Sequence, residues 1–415
     1  MEDLSIFATK YSCGQVDAGI VDKLIVDYEK NMVDAMVDMI AIKAISTASG
    51  GSGESKRADF LEKMLVDIGI KCKRYDYKDN YGVLRPNLVG RYGGKDRTLW
   101  IIAHMDTVAE GDISLWKSDP FNARVSNGRI YGRGTNDNGQ GIISAMYAIN
   151  ALIKSGAEIK YNIGIAIVAD EEMGSTYGIQ KLLDEDIFSK NDMFLVPDWG
   201  NERGDLIETA EKGMLWLKIT VLGKQVHASI PDNGINASRY GAMLALELDK
   251  VLHERFSAKN SIFDPNTSTF EMTKHEKNVD SVNIVPGTDI FYMDCRVLPE
   301  YRLDDVINVV FGIAEHEKFK KVSIKVETYN REDAVQPTAI DSEIVRLLQR
   351  AVKEIRGKTP GVTGIGGGTC AAFFRKRGMQ TAVWATLGEM AHQPNEYARI
   401  ADIVNDAKVF ARLYF

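Results

Sequence analysis

A chain of 415 residues is longer than one hydrophobic core usually supports, so its length predicts two domains. Hydrophobic residues make up 45% and charged residues 26%, as in ordinary globular proteins, and the net charge of -7 argues against a nucleic-acid-binding surface. No apolar run reaches the ~18–20 residues of a transmembrane helix. The first residues, MEDLSIFATKYS, lack the basic and apolar regions of a signal peptide. Four cysteines without CxxC spacing favour a reducing compartment, and we therefore expect a cytoplasmic protein without a membrane partner.

The first half of the chain alternates between helical and strand patterns. Unbroken apolar strands are typical of parallel sheets, and the strand–helix–strand order predicts a βαβ unit. In chain order we predict a helix over Val21–Ile45, a Gly/Ser loop over Ser46–Ser55, a helix around Leu61 and Leu65, strands at 87–89 and 98–103, a helix over 141–154, a strand over 163–169 and a strand that ends at Asp198.

The pattern changes after Glu211. Residues 214–222 alternate between apolar and polar, which predicts a half-buried strand. The elements that follow complete the order βαββαβ, which is typical of a ferredoxin-like antiparallel sheet with two helices. From about residue 330 the helix–strand pattern resumes. The sequence thus predicts an α/β fold in which a mostly parallel-sheet domain, residues 1–211 and 330–415, is interrupted by an α+β domain, residues 212–329.

Seven polar side chains lie where predicted strands give way to loops. A strand end is a rigid place from which to direct a side chain into a cleft, and zinc prefers histidine nitrogen and carboxylate oxygen as ligands. Two ions ~3.5–4 Å apart can share one carboxylate. Together these residues predict a two-metal centre: His104, Asp106, Asp137, Glu171, Glu172, Asp198 and His392.

Individual motifs allow other interpretations. Asp106 follows His104 by two residues, so it can orient the imidazole as an outer partner, but the pair is equally compatible with a surface histidine beside a solvated aspartate. Asp137 lies in the Gly-rich stretch GRGTNDNGQG and can bridge two metals or cap a helix. The adjacent pair Glu171 and Glu172 predicts one general base and one metal ligand, or a solvated acidic loop.

Taken in order, the segments HMDTV, GRGTNDNGQG, DEEMGS, PDWG and EMAHQPNE resemble the signatures of the dinuclear-zinc amidohydrolase and metallopeptidase family. That family includes succinyl-diaminopimelate desuccinylase, acetylornithine deacetylase, aminoacylase, glutamate carboxypeptidase and several dipeptidases. The resemblance spans almost the whole chain. It implies that His104 and Asp198 bind one zinc, that Glu172 and His392 bind the other, and that Asp137 binds both.

The resemblance also implies roles for two further residues of the centre and for the inserted domain as a lid. Asp106 would orient His104, and Glu171 would be the catalytic carboxylate. In the lid, KQVHASIPD resembles the segment with a histidine, here His227, that reaches the oxyanion in a partner subunit, which predicts a homodimer through this domain. The substrate contacts implied are Asn283 of VNIVPG, Arg296 of MDCR, and Gly367, Gly368 and Thr369 of the Gly-rich loop. Arg296 can instead form an ion pair with Asp294 or Glu300.

Three departures from the family pattern bear on the substrate. Asp198 stands where succinyl- and acetyl-specific deacylases often carry glutamate, and aspartate is more familiar there among dipeptidases. Gly139 stands where many relatives have lysine. Residues 370–372, Cys–Ala–Ala, lack the polar side chains that many relatives have after the Gly-rich loop.

The function that follows is hydrolysis of the amide bond of a small N-acyl amino acid. Two divalent metal ions, zinc first and cobalt or manganese as alternatives, would activate a water molecule, with Glu171 as general acid and base. A dipeptidase or carboxypeptidase of the same family is the alternative. A catalytically silent binding or scaffold protein is the alternative from a different class, and the intact Glu171 argues against it.

Overall fold

The computed structural model describes residues 18–415, so the expectations for the first twelve residues and for Cys13 lie outside the described residues. The helices are α1 (Ala18–Asp27), α2 (Glu29–Ile40), α3 (Ser55–Asp67), α4 (Gln140–Ser155), α5 (Ile179–Leu182), α6 (Ala237–Arg255), α7 (Leu303–Ala314), α8 (Glu343–Arg356), α9 (Ala371–Lys376) and α10 (Ile400–Arg412). The strands are β1 (Lys71–Lys78), β2 (Leu84–Tyr92), β3 (Thr98–His104), β4 (Arg124–Ser126), β5 (Arg129–Tyr131), β6 (Asn162–Val168), β7 (Met193–Gly200), β8 (Leu206–Glu211), β9 (Gly213–Leu222), β10 (Val226–His227), β11 (Thr269–His275), β12 (Ile284–Val285), β13 (Thr288–Val297), β14 (Ser323–Glu332), β15 (Gly361–Ile365), β16 (Gln380–Ala385) and β17 (Tyr397–Arg399).

The chain divides into two compact units. The first contains the described residues up to Glu208 together with Thr338–Gly361 and Thr369–Phe415. The second contains Thr209–Pro337 and Val362–Gly368. The inserted domain predicted from the sequence, 212–329, falls inside the second unit, which also takes the Gly-rich segment that the sequence-based division assigned to the other domain.

The first unit is built on a sheet with the strand order β1-β2-β6-β3-β7-β16. Strands β6, β3, β7 and β16 run parallel to one another. At one edge β2 pairs antiparallel with β6, and β1 pairs antiparallel with β2. Every residue of β3 and β6 is buried, as expected for parallel strands covered on both faces. Because β3, β6 and β7 are parallel, their carboxyl ends meet at one edge of the sheet. The predicted α/β class and the βαβ unit of β3, α4 and β6 are confirmed.

Two predicted features of this unit were wrong or missing. The helix predicted over Val21–Ile45 is two helices, α1 and α2, separated at Tyr28, and it ends at Ile40. Beyond Ile40 the backbone finds tertiary partners instead, because Arg57 donates to the carbonyl of Ile42. Strand β1 was not predicted, since its charged sequence KCKRYDYK has only the exposure pattern of an edge strand.

The second unit contains a four-stranded antiparallel sheet in the order β11-β13-β9-β14, with α6 and α7 as its two long helices. Its strands and helices follow one another as βαββαβ, as predicted. Strand β9 alternates between buried and partly exposed residues along its length. The buried residues of β9, β13, α6 and α7 form a separate apolar core, which includes Leu217, Leu248, Phe291 and Val306. A short ribbon of β10 and β12 lies outside this sheet.

Among the described helices, none combines the length and apolar character that a membrane span requires. Within the described residues, Cys72, Cys295 and Cys370 are free thiols.

Candidate metal centre

The predicted ligands lie on loops and strand ends of the first unit. His104 is the last residue of β3, and Glu172 lies in a short turn that follows β6. Asp137 occupies the irregular turn before α4. Asp198 lies inside β7, which runs two residues further than predicted, and His392 lies in the loop between β16 and β17.

Five of these side chains form two groups whose donor atoms lie within 4.8 Å of one another. The first group is His104, Asp137 and Asp198, and the second is Asp137, Glu172 and His392. In the first, Nε2 of His104 lies 2.9 Å from Oδ1 of Asp137 and 3.2 Å from Oδ1 of Asp198. In the second, Nε2 of His392 lies 3.0 Å from Oε2 of Glu172 and 3.3 Å from Oδ2 of Asp137.

Asp137 therefore presents one carboxylate oxygen to each group. Oδ1 faces His104 and Oδ2 faces His392, which is the arrangement that a carboxylate shared by two cations requires. The donor set, histidine nitrogen and carboxylate oxygen, suits zinc and other divalent ions. The buried Oε1 of Glu172 has no hydrogen-bond partner in the described chain, so a donor atom remains available for a cation.

The two groups differ in exposure. The side chain of His104 is 2% exposed, whereas that of His392 is 56% exposed. His392 also adopts a left-handed backbone conformation, with φ 63°. Such conformations cost free energy in non-glycine residues and persist where the surrounding structure holds them. The group with His104 thus has a buried histidine at a strand end, whereas the group with His392 has a solvent-exposed histidine on a loop.

The electrostatics of the cluster favour positive charge. Burial alone lowers the pKa of His104, but the charge of Asp198 and hydrogen bonds to neighbouring carboxylates raise it well above its usual value. Hydrogen bonds to Asp137 and Glu172 raise the pKa of His392 to about 10. Burial raises the pKa of Glu172, because its charged form loses solvation next to the charge of Asp137. Carboxylates packed this closely stabilise a cation placed among them.

Glu171 lies beside this cluster without joining either group. Burial and the charge of Asp198 raise its pKa well above the usual value of a carboxyl group. Within residues 18–415 its carboxylate makes no hydrogen bond, although its backbone N–H donates to Asp106. A partly buried carboxyl group of this kind can accept and return a proton.

Asp106 contacts both His104 and the glutamate pair. Its backbone carbonyl lies 3.1 Å from Nδ1 of His104, while its carboxylate lies 3.6 Å from the same atom. The two carboxylate oxygens accept the backbone N–H groups of Glu171 and Glu172, each at 3.1 Å. Asp106 thus contacts His104 chiefly through its backbone carbonyl, and its carboxylate holds the turn that carries the glutamates. The orienting role of Asp106 stays a prediction.

Sequence reasoning missed Glu396, although it lies in the quoted segment EMAHQPNE. This fully buried carboxylate accepts the backbone N–H groups of Gly134, Asn136 and Asp137 at 2.8 to 3.1 Å. It also pairs with Arg133 at 2.8 Å. Burial raises the pKa of Glu396 to about 7. Glu396 holds the turn that presents Asp137, and only the density of polar residues around that turn could have signalled it.

The sequence also did not predict a buried cluster of charged residues next to the pair Glu171 and Glu172. Arg85 is buried and contacts Glu54 at 2.5 Å and Asp170 at 3.2 Å. Asp170 precedes Glu171 and has φ 66°, a left-handed conformation. Its other carboxylate oxygen accepts the backbone N–H of Tyr177. These contacts stabilise a strained residue directly before the predicted proton shuttle.

In the second unit, His227 is the last residue of β10, and Asn283 directly precedes β12. His227 is paired with Ile284, and the N–H of Ala228 donates to the carbonyl of Asn283 at 2.8 Å. Nδ1 of His227 accepts the backbone N–H of Ser229 at 3.1 Å. Because a backbone N–H can only donate, the neutral imidazole carries its proton on Nε2.

Arg296 forms the ion pair that was the alternative to a substrate contact. Its Nε and Nη2 donate to the two carboxylate oxygens of Asp294 at 2.6 and 2.9 Å. Nη1 donates to the carbonyl of Gly366 at 2.8 Å. The guanidinium therefore links strand β13 to the Gly-rich segment of the same unit. Two of its five N–H groups have no acceptor among the described residues.

The predicted Gly-rich contacts are divided between the units. Gly367 and Gly368 belong to the second unit and Thr369 to the first. A side chain added at Gly367 would meet open space, so the structure does not itself require glycine there. An open backbone is what a substrate carboxylate would need in order to approach the N–H groups.

Comparison with known proteins places this geometry in a family. Residues 100–415 match the family described as peptidase family M20/M25/M40. An uncharacterized metallohydrolase of Methanocaldococcus jannaschii is 40% identical over 393 residues, covering 90% of this chain and 96% of the relative. The chain belongs to peptidase family M20/M25/M40. It is therefore a hydrolytic enzyme, and the family together with the two donor groups supports binding of divalent metal ions.

A more distant member of the family, the succinyl-diaminopimelate desuccinylase of Pelagibacter ubique, is 27% identical over 367 residues, covering 85% of this chain and 91% of the relative. Among solved structures, the di-peptidase Dug1p of Saccharomyces cerevisiae has a TM-score of 0.73 at 16% identity, covering 97% of this chain and 98% of its own. The metallo-carboxypeptidase Sso-CP2 of Sulfolobus solfataricus has a TM-score of 0.73 at 20% identity, covering 92% and 99%. At these identities the structures share the fold of this M20 enzyme. The family implies peptide or amino-acid substrates.

Proposed function

We propose that this M20 enzyme hydrolyses the amide bond of a small N-acyl amino acid, as in a desuccinylase or deacetylase of amino-acid metabolism. The observation that carries the proposal is the pair of donor groups that share Asp137, with the uncommitted carboxylate of Glu171 beside them. The relative named succinyl-diaminopimelate desuccinylase supports this substrate class, since the match covers 91% of its length.

In this proposal His104 and Asp198 bind one ion, Glu172 and His392 bind the other, and Asp137 binds both. Zinc is the first choice because all five ligands offer nitrogen or carboxylate oxygen, and cobalt or manganese is the alternative. Two such ions would lower the pKa of a water molecule toward ~7 and polarise the scissile carbonyl. Asp106 and Glu396 would then maintain the geometry of the ligand turns.

Glu171 would move the proton. Its carboxylate would take a proton from the attacking water and return it to the nitrogen of the leaving amine. Its raised pKa, caused first by burial and then by the charge of Asp198, makes this carboxylate a stronger base than an exposed one. Its freedom from hydrogen bonds within the described chain supports this role, because a shuttle must be able to change partners.

Residues of the second unit would recognise the substrate. His227 would donate its Nε2 proton to the oxygen of the scissile carbonyl, which is why the tautomer set by Ser229 matters. Arg296 would use its two remaining N–H groups on the substrate carboxylate. Asn283 and the backbone of Gly367 and Gly368 would complete the substrate contacts of the second unit, and Thr369 of the first unit is proposed as a further substrate contact.

A specific residue favours a second candidate. Asp198 is shorter than the glutamate that deacylases often carry, and aspartate at this position is more typical of dipeptidases. A dipeptidase or carboxypeptidase activity is therefore the alternative. A silent scaffold is the alternative outside enzymes, and it would have no use for a carboxylate held free of hydrogen bonds beside the two donor groups.

The test is a substrate screen with the metal-loaded protein. Succinyl- and acetyl-amino acids are assayed beside dipeptides and C-terminally amidated peptides, with zinc, cobalt or manganese added. Turnover of N-acyl amino acids above dipeptides supports the proposal. Preference for dipeptides would replace it with the alternative, and absence of turnover in a protein that binds two ions would support the scaffold.

We further propose a cytoplasmic homodimer, formed through the second unit, in which each active site borrows His227 from its partner. The outer strands β11 and β14 of the antiparallel sheet offer edges that a two-fold partner could pair with. The test is complementation between inactive Glu171→Gln and inactive His227→Ala subunits. Half of a statistical mixture would be mixed dimers with one intact site each, so activity should return to about a quarter of wild type. No recovery despite proven subunit exchange would refute the shared site.

A further inference from the structure

Asn138 is a buried residue that has no role in the proposed function. It follows Asp137 and is 1% exposed. Its amide nitrogen donates to the backbone carbonyl of Pro197 and to Oδ1 of Asp198, each at 2.7 Å. Both neighbours are acceptors, so the nitrogen must be the atom that faces them, and the orientation of the amide follows from its partners.

The contact fixes the carboxylate of Asp198. Oδ1 of Asp198 receives the Asn138 amide and also lies 3.2 Å from Nε2 of His104. A carboxylate that accepts a short hydrogen bond cannot rotate freely about its last bond, and its charge is partly neutralised by the donor. Asn138 thus fixes the direction of the carboxylate of a predicted metal ligand.

Two observations indicate that Asn138 acts as a hydrogen-bond donor and not as an acceptor. Oδ1 of Asn138 is buried without a hydrogen-bond partner among the described residues, so only the donor half of the amide is used. Glycine at position 141 also leaves space for the amide of Asn138. A Cβ atom at Gly141 would lie 2.7 Å from Oδ1 of Asn138 and 2.8 Å from Pro197. An orphaned acceptor of this kind is rare in folded proteins.

The other donor group has no such support. Oε1 of Glu172 is buried without a partner in the described chain, and Oε2 faces His392. The two carboxylates that differ between the groups are therefore unlike each other. Asp198 is held by an amide, and Glu172 is held through its backbone and by the histidine of its own group.

We propose that Asn138 is a positioning residue for the metal ion bound by His104 and Asp198, and that it acts on this ion and not on the one bound by Glu172 and His392. The proposal rests on the two-metal assignment of the proposed function. Outer hydrogen bonds to metal ligands typically change metal affinity by ~10–100-fold. Asn138 would therefore be one physical cause of unequal binding at the two positions.

The experiment replaces Asn138 in the full-length protein and measures metal binding directly. Asn138→Leu removes the donor at similar volume, and Asn138→Asp keeps the shape but turns the donor into an acceptor. Zn²⁺ affinity is measured by competition with a chromophoric chelator, and Co²⁺ spectra report the ligand geometry. We expect one of the two ions to bind ~10–100-fold more weakly, with the other unchanged.

The matched control is Asn162→Leu. Asn162 is also fully buried and bonds the backbone of Lys95 through both amide atoms, but it lies at the opposite end of β6 from the glutamate pair. This variant should lose stability and keep both metal affinities. It separates general damage to the fold from an effect on Asp198.

Wild-type affinities and an unchanged Co²⁺ spectrum in either folded Asn138 variant would overturn the proposal. Equal weakening of both ions, or a fold lost in both variants but retained in Asn162→Leu, would make Asn138 a structural residue and would also overturn it. Failure of the proposed function looks different, since the wild-type protein itself would then not bind two ions.

Discussion

The metal centre of the first unit and the predicted substrate residues of the second unit are arranged in opposite ways. In the first, like-charged side chains from distant segments converge without neutralising one another. His104 and His392 lie between the carboxylates of Asp137, Glu172 and Asp198. In the second, the predicted substrate residues have local partners, as Arg296 has in Asp294 and His227 in Ser229.

Metal-binding and substrate-binding sites are recognised by different features of their side chains. Crowded carboxylates cost free energy unless a cation joins them, so the cluster indicates its ligand even when that ligand is absent. Polar groups that bind a substrate must be stable when no substrate is bound. They therefore form local hydrogen bonds and keep further donors for the substrate. The first kind of site is recognised by its crowded carboxylates, and the second by N–H groups that can still donate to a substrate.

Glu171→Gln should have the largest effect and would sharpen this comparison. The amide cannot take a proton from water, so turnover should fall by ~10²–10⁴-fold or more. Both ions should stay, because Glu171 belongs to neither donor group. Metal analysis and kinetics on the same preparation decide the outcome. A variant that loses an ion would place Glu171 among the ligands.

Removing one histidine at a time should divide the centre. His104→Ala and His392→Ala should each retain one ion of two, because only Asp137 is common to both groups. His104 is buried, so its replacement should also lower thermal stability, whereas the exposed His392 should be replaced at little cost to the fold. Metal content and a melting curve give both readouts. A single ion in wild type, with His392→Ala unaffected, would break the two-metal assignment.

Arg296→Ala should have the smallest effect of the three and tests the second unit. If its free N–H groups bind the substrate carboxylate, binding should weaken by ~10–150-fold, the worth of one charge-assisted hydrogen bond of ~1.5–3 kcal/mol. Amidated substrates should be affected far less. Equal losses on both kinds of substrate would leave Arg296 with its structural role of linking Asp294 to Gly366.

Much of the fold could be predicted from local patterns. The buried strands β3 and β6 and the alternating strand β9 each carry a periodicity that their packing later uses. Strand β1 could not be predicted, since an edge strand buries too little to impose a pattern. The break between α1 and α2 at Tyr28 could not be predicted either. The helical spacing of apolar residues continues across Tyr28, although the helix itself is interrupted there.

The candidate site was predictable where a side chain carries its own chemistry at a strand end. His104 and Asp137 stood out because their residue types and positions favour metal binding even without a structure. Glu396 and Asn138 did not, because their roles depend on which backbone N–H or carboxylate lies opposite them after folding. Such partners come from segments far apart in the sequence, and no spacing rule connects them.

The contact between Glu396 and the turn that presents Asp137 has a consequence for the order of events during synthesis. The turn that contains Arg133, Gly134 and Asp137 is translated long before its partners. Glu396 pairs with Arg133 and accepts the backbone N–H groups of Gly134 and Asp137, and His392 contacts the carboxylate of Asp137. A nascent chain therefore carries the predicted bridging carboxylate on a turn that lacks its contacts with Glu396 until residue 396 has been made. Metal loading should then be a late step of maturation, and a chain truncated before His392 should be released without a complete centre.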